Sequence, residues 1–141
     1  MKRVCTVLLC LILTITAVYG LFIYPKTKAG GLRYLRENEA ALQEHAVACK
    51  GDPNTVWPFR RYHAGYDQRC DISWFRISYT GFGSEYRETG FYYSETDTPS
   101  GMGNDLSQSI SGDGIIFYGE GDNYSYVEKI KDNWYWYERH W

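Results

Sequence analysis

From Val4 to Tyr24 the chain reads VCTVLLCLILTITAVYGLFIY, 21 positions without a charge behind Met1-Lys2-Arg3. A helix over that run is about 31 Å long at 1.5 Å per residue, against roughly 30 Å of hydrocarbon in a bilayer. The run predicts an uncleaved transmembrane signal anchor over residues 1–24. A signal peptide is the competing reading. Val18-Tyr19-Gly20 resembles a weak cleavage site, but the apolar run continues past it through Leu21, Phe22 and Ile23.

Pro25 and Gly30-Gly31 then interrupt the helical pattern, which predicts a juxtamembrane joint over 25–31. From Leu32 the apolar positions Leu32, Leu35, Leu42, Ala46 and Cys49 recur at helical spacing, and Gly51 and Pro53 end the pattern. After residue 70 the period changes to two. Residues 71–79, 89–95, 114–118, 123–130 and 134–141 read as strands, separated by Gly, Asp and Asn turns. No strand–helix–strand alternation exists, so a parallel sheet is excluded. The predicted fold is α+β: an N-terminal transmembrane helix, then one amphipathic helix on a four- to five-stranded antiparallel meander. Residues 32–141 form its one small domain.

A single helix with three leucines and several alanines cannot fill a core, so the sheet must supply the volume. Between Trp57 and Trp141 stand 21 aromatic residues in 85. They are spread over every predicted strand, as packing requires. In WYWY at 134–137 the rings alternate faces. Trp134 and Trp136 point one way, Tyr135 and Tyr137 the other, and one pair is expected to face outward as a platform for a partner.

Charge narrows the partners. The chain carries 15 basic and 17 acidic residues, and from 85 onward there are only 4 basic against 11 acidic. An acidic C-terminal half argues against nucleic acid. Cys49 and Cys70, the two cysteines of the soluble part, suggest one disulfide closing a loop of about 20 residues, worth about 3 kcal/mol. Lys26, Lys28, Arg33 and Arg36 after the anchor favour a cytoplasmic domain by the positive-inside rule. The cysteine pair tips the expectation the other way. The predicted location is the cell membrane, single-pass through residues 4–24, with the C-terminal domain on the non-cytoplasmic side.

Catalytic signatures are thin. His63, Asp67 and Cys70 match no spacing with a known mechanism. Asp113, Glu120, Asp122 and Asn123 lack the alternate-position spacing of a calcium loop. No catalytic residue, metal or cofactor is therefore assigned. The predicted function is a membrane-anchored, non-enzymatic module that binds a protein partner, such as an inhibitor, an immunity-type protein or a complex subunit. Its candidate contacts are Trp134, Tyr135, Trp136 and Tyr137, the aromatic-basic cluster Trp57, Arg60 and Arg61, and Asp105 in the long Gly/Ser/Asp-rich segment 96–113. The alternative is binding or hydrolysis of surface glycan on the same rings, with Glu128 and Glu138 as the carboxylates among them.

Overall fold

The computed structural model describes residues 2–23, 26–52, 63–82 and 85–141. Helix α1 (Lys2–Val18) is followed by a π-helical turn, Tyr19–Ile23, and by helix α2 (Lys28–Gly51). Seven strands follow: β1 (His63–Asp67), β2 (Ile72–Phe82), β3 (Glu85–Ser94), β4 (Ser107–Ser111), β5 (Gly114–Tyr118), β6 (Tyr124–Lys131) and β7 (Trp134–His140). They form one antiparallel sheet in the order β1-β2-β3-β7-β6-β5-β4.

Three expectations are corrected. First, among the described residues no helix is long and apolar enough to cross a membrane. The uncharged run is not one α-helix. The α-helix over it, Lys2–Val18, ends after 17 residues, about 26 Å at 1.5 Å per residue, and two of those residues are the charged Lys2 and Arg3. Beyond it the backbone rewinds as the π turn around Gly20. Threonines dilute the helix, and the Thr14 and Thr16 hydroxyls bond back to the Cys10 and Ile12 carbonyls at 2.8 and 2.9 Å. The single-pass anchor and the cell-membrane location built on it are not supported.

Second, the sheet has seven strands, not four or five. The two that the pattern missed, β1 (HAGYD) and β4 (SQSIS), are the sheet's two edges. Neither buries a full face, so neither shows the period-two apolar signal by which a strand is read.

Third, Cys49 and Cys70 are both free thiols. They lie on opposite sides of the sheet. Cys49 sits in the last turns of α2, whose buried stripe joins a cluster of Leu35, Leu42, Ala46, Phe75, Phe91, Trp134 and Trp136. Cys70 packs into the other cluster, with Ile72, Tyr92, Met102, Val127, Tyr135 and Tyr137. The neighbour of Cys49 is His45, one turn earlier, at 3.2 Å. Without the bridge, nothing in the cysteine usage points to an oxidising compartment.

Helix α2 also begins earlier than its apolar stripe. The Thr27 hydroxyl caps it by accepting from Gly30 N at 3.1 Å. Gly30 and Gly31 are thus helical rather than part of a joint. Gly31 has a packing role, because a Cβ there would stand 2.2 Å from Ile77 Cδ1 and 3.2 Å from the Trp136 ring. The missing side chain lets α2 settle closely on the β2–β3–β7 surface.

The strand order explains the long segment after β3. β1-β2-β3 and β4-β5-β6-β7 are two meanders joined by the β3–β7 pairing. The chain must leave the middle of the sheet and reach its far edge, four strand spacings or about 19 Å away. Residues 95–106 make that crossing on the side opposite α2. Met102 is buried there, Ser100 N donates to the Tyr92 hydroxyl at 2.8 Å, and the Tyr135 hydroxyl donates to Asp97 O at 2.8 Å. In the same layer Asn104 Nδ2 donates to Ser125 Oγ, which donates to Gly101 O, each at 2.8 Å.

One glycine is fixed by contact at the centre. A Cβ on Gly90 of β3 would fall 2.2 Å from the Phe75 carbonyl oxygen and 2.9 Å from the Tyr137 ring. Neither neighbour can withdraw, one being backbone and the other fully buried. Gly90→Ala is expected to lower unfolding stability by about 1–3 kcal/mol, the usual cost of overpacking, as read from urea denaturation.

Candidate functional site

The alternation predicted for 134–137 is present, but neither ring pair is exposed. Trp134 and Trp136 pack under α2; Tyr135 and Tyr137 pack on the opposite side beneath segment 95–106. All four are buried, the most exposed being Tyr135 at 3%. Buried tyrosine hydroxyls need partners, and Asp97 and Glu88 supply them. Burial and the bond to Asp97 push the Tyr135 phenol up to about 12, and burial holds the Tyr137 phenol well above its usual value. The rings are core, so the platform expected there does not exist. Asp105 Oδ1 accepts from Gly101 N at 3.1 Å and closes a turn of its own segment. Trp57, Arg60 and Arg61 lie outside the described residues.

The other sequence candidates do not assemble. His63 and Asp67 occupy opposite ends of β1, about 13 Å apart at strand rise, and Asp67 accepts from Arg69 N at 2.9 Å. Asp113 precedes β5 while Glu120 and Asp122 follow it, so one strand length separates them. Among the described residues no group of three or more His, Cys, Asp or Glu is arranged to hold a metal ion. Glu128 and Glu138 both face the α2 side. Glu128 accepts from Lys28 Nζ at 2.6 Å and from the Tyr126 hydroxyl at 2.8 Å. The Lys28 bond, ahead of the opposing effect of burial, holds its carboxyl below the usual range. Burial pushes the Glu138 carboxyl up, but Arg87 at 2.6 Å and Trp136 Nε1 at 3.2 Å outweigh it, so the net shift is down. A glycosidase acid needs a raised pKa. Neither residue has one.

Two features that the sequence reading passed over stand out. One is polar. On the face away from α2, Glu88 of β3 pairs in register with Arg139 of β7. The Tyr137 hydroxyl donates to Glu88 Oε1 at 2.7 Å, and Arg76 Nη1 of β2 stands 3.6 Å from Glu88 Oε2. The Arg139 guanidinium lies 4.1 Å over the Trp141 ring, and that of Arg76 is 5.1 Å from Tyr79 and 5.9 Å from Trp74. Burial lowers the Arg139 pKa, with Glu88 and Tyr137 opposing the shift.

The other is an edge. Among the described residues β4 pairs with β5 on one side only, and its sequence, Ser107-Gln108-Ser109-Ile110-Ser111, has no charge and no proline. Ile110 is 88% exposed and Leu106, four residues before it on the same side of the extended chain, is 71% exposed. Edge strands are normally guarded by lysine, proline or a bulge. The sheet has bulges at Ile77 and Ile130, but both lie on interior strands, where they bring those side chains into the α2-side cluster. No protein-family model matches the chain, and no curated protein or solved structure matches it.

Proposed function

We propose that the domain is a non-enzymatic protein-interaction module that takes an extended segment of its partner as an additional strand beside β4. The observation that carries this reading is the unguarded β4 edge: five uncharged residues with one side unpaired among the described residues, with Ile110 among them and Leu106 just before them in the open. Strand addition uses such an edge directly. Main-chain hydrogen bonds give affinity and the two apolar side chains give register. Covering each side chain contributes about 1.5–3 kcal/mol and each added hydrogen bond about 0.5–1.5 kcal/mol, before the cost of association. That total suits a micromolar complex better than a nanomolar one.

The rest of the sheet supports the choice of edge over face. On one face α2 lies over β1, β2 and β3, and on the other segment 95–106 covers Tyr92 and Tyr135, so the rings of Trp134 to Tyr137 offer no flat surface for stacking sugars. The test begins with the partner cross-linked to the chain in the cells that make it. The double substitution of Leu106 and Ile110 by lysine restores an edge guard without touching the core. It is expected to weaken binding of that partner at least about tenfold, or 1.4 kcal/mol. Unchanged affinity of a folded variant contradicts the reading.

A further inference from the structure

We infer that Arg76 and Arg139 form a binding site for the carboxylate group of a ligand, on the sheet face away from α2. The basis is a mismatch between donors and acceptors. Each guanidinium carries five N–H donors, and among the described residues neither gives a hydrogen bond to a protein acceptor. Arg76 stops 3.6 Å from Glu88, and Arg139 Nε is fully buried with no partner. Glu88, the one carboxylate beside both, already accepts from Tyr137. Asp67 contributes charge to the neighbourhood of Arg139 but is itself tied to Arg69 at 3.3 Å. Buried donors are ordinarily satisfied, and an orphan on a charged group is costly.

The rings set the geometry. Both guanidiniums lie against aromatic faces, Arg139 on Trp141 and Arg76 beside Tyr79 and Trp74. A stacked guanidinium keeps its N–H fork in the ring-parallel plane, pre-oriented for two-point contact with a planar oxyanion. Charge selects the ion. Two arginines against Glu88 leave one positive charge, which a carboxylate neutralises. Phosphate, at about −1.5 to −2, would overshoot beside Glu88. The ligand is therefore a monocarboxylate, either a small organic acid or the free C-terminus of a peptide.

The experiment follows the Arg76 and Arg139 Nε–H resonances of the full chain by NMR. The probes are benzoate, inorganic phosphate, and a tripeptide ending in phenylalanine with a free or an amidated C-terminus. Benzoate or the free-acid peptide is expected to shift both resonances saturably at millimolar concentration, whichever binds more tightly identifying the source. Phosphate is expected to bind at least about tenfold more weakly. Arg76→Gln, at a partly exposed position, should weaken carboxylate binding about tenfold or more, in line with loss of a charge-assisted hydrogen bond. Glu88→Gln keeps an acceptor for Tyr137, removes the opposing charge and should tighten binding several-fold. Resonances that no carboxylate moves, a free acid and amide that bind equally, phosphate that binds more tightly, or an Arg76→Gln variant titrating like the parent would each overturn the inference.

Discussion

Trp136→Ala is expected to cost the domain about 3–5 kcal/mol of unfolding stability, the range for truncating a fully buried tryptophan. Trp136 sits where three elements meet. It belongs to central strand β7, pairs in register with Phe91 of β3, and presents its ring edge to Gly31 of α2. Its indole Nε1–H donates to Glu138, itself held by Arg87. Truncation thus opens a cavity under the helix and leaves Glu138 one donor short. Against a total stability of about 5–15 kcal/mol such a loss is large. Urea denaturation checks it, with the midpoint falling and the m-value nearly unchanged. An outward-facing ring, as the sequence pattern alone allows, would cost less than about 1 kcal/mol.

Glu88→Ala is expected to cost about 3 kcal/mol, because removing one member of a buried charged set strands the others. The Glu88 side chain is 8% exposed and faces Arg76, Arg139 and the Tyr137 hydroxyl. Without it the buried Tyr137 hydroxyl has no acceptor and two guanidiniums share one sheet face unopposed. Glu88→Gln, which keeps an oxygen for Tyr137, should lose less than Glu88→Ala. Tyr137→Phe in the Glu88→Ala background should add little, since the bond it removes is already gone. Additive losses in that pair would mean that the 2.7 Å contact contributes nothing of its own.

What the sequence revealed and concealed follows from burial. α2 and the five inner strands announce themselves because each buries apolar side chains that repeat at the period of its element, on one side or, in β7, on both. β1 and β4 bury little and left no such trace, so the feature that suggests a function was invisible in the pattern that reveals the fold. The alternation in 134–137 was legible, yet its consequence was not. Whether the second face is covered depends on a crossing segment, 95–106, whose path is set by strand order. A clue was present in Tyr92 and Tyr135, whose hydroxyls must find partners once buried. Asp97 answers for Tyr135 and also accepts from Asn133 N at 2.8 Å and Lys129 Nζ at 2.6 Å, the Lys129 bond foremost in holding its carboxyl below the usual range. The cysteine pair misled because spacing along the chain says nothing about which side of a sheet a thiol occupies. Charge-free length misled in the same way, since it fixes neither where an α-helix stops nor how it winds.

Backbone amide exchange of the domain, alone and with its bound partner segment, tests the β4 edge most directly. Added strand pairing predicts new protection at alternate residues of Ser107–Ser111, with the amides of β7 unchanged. Protection elsewhere, with Ser107–Ser111 exchanging as in the free domain, would contradict strand addition at β4.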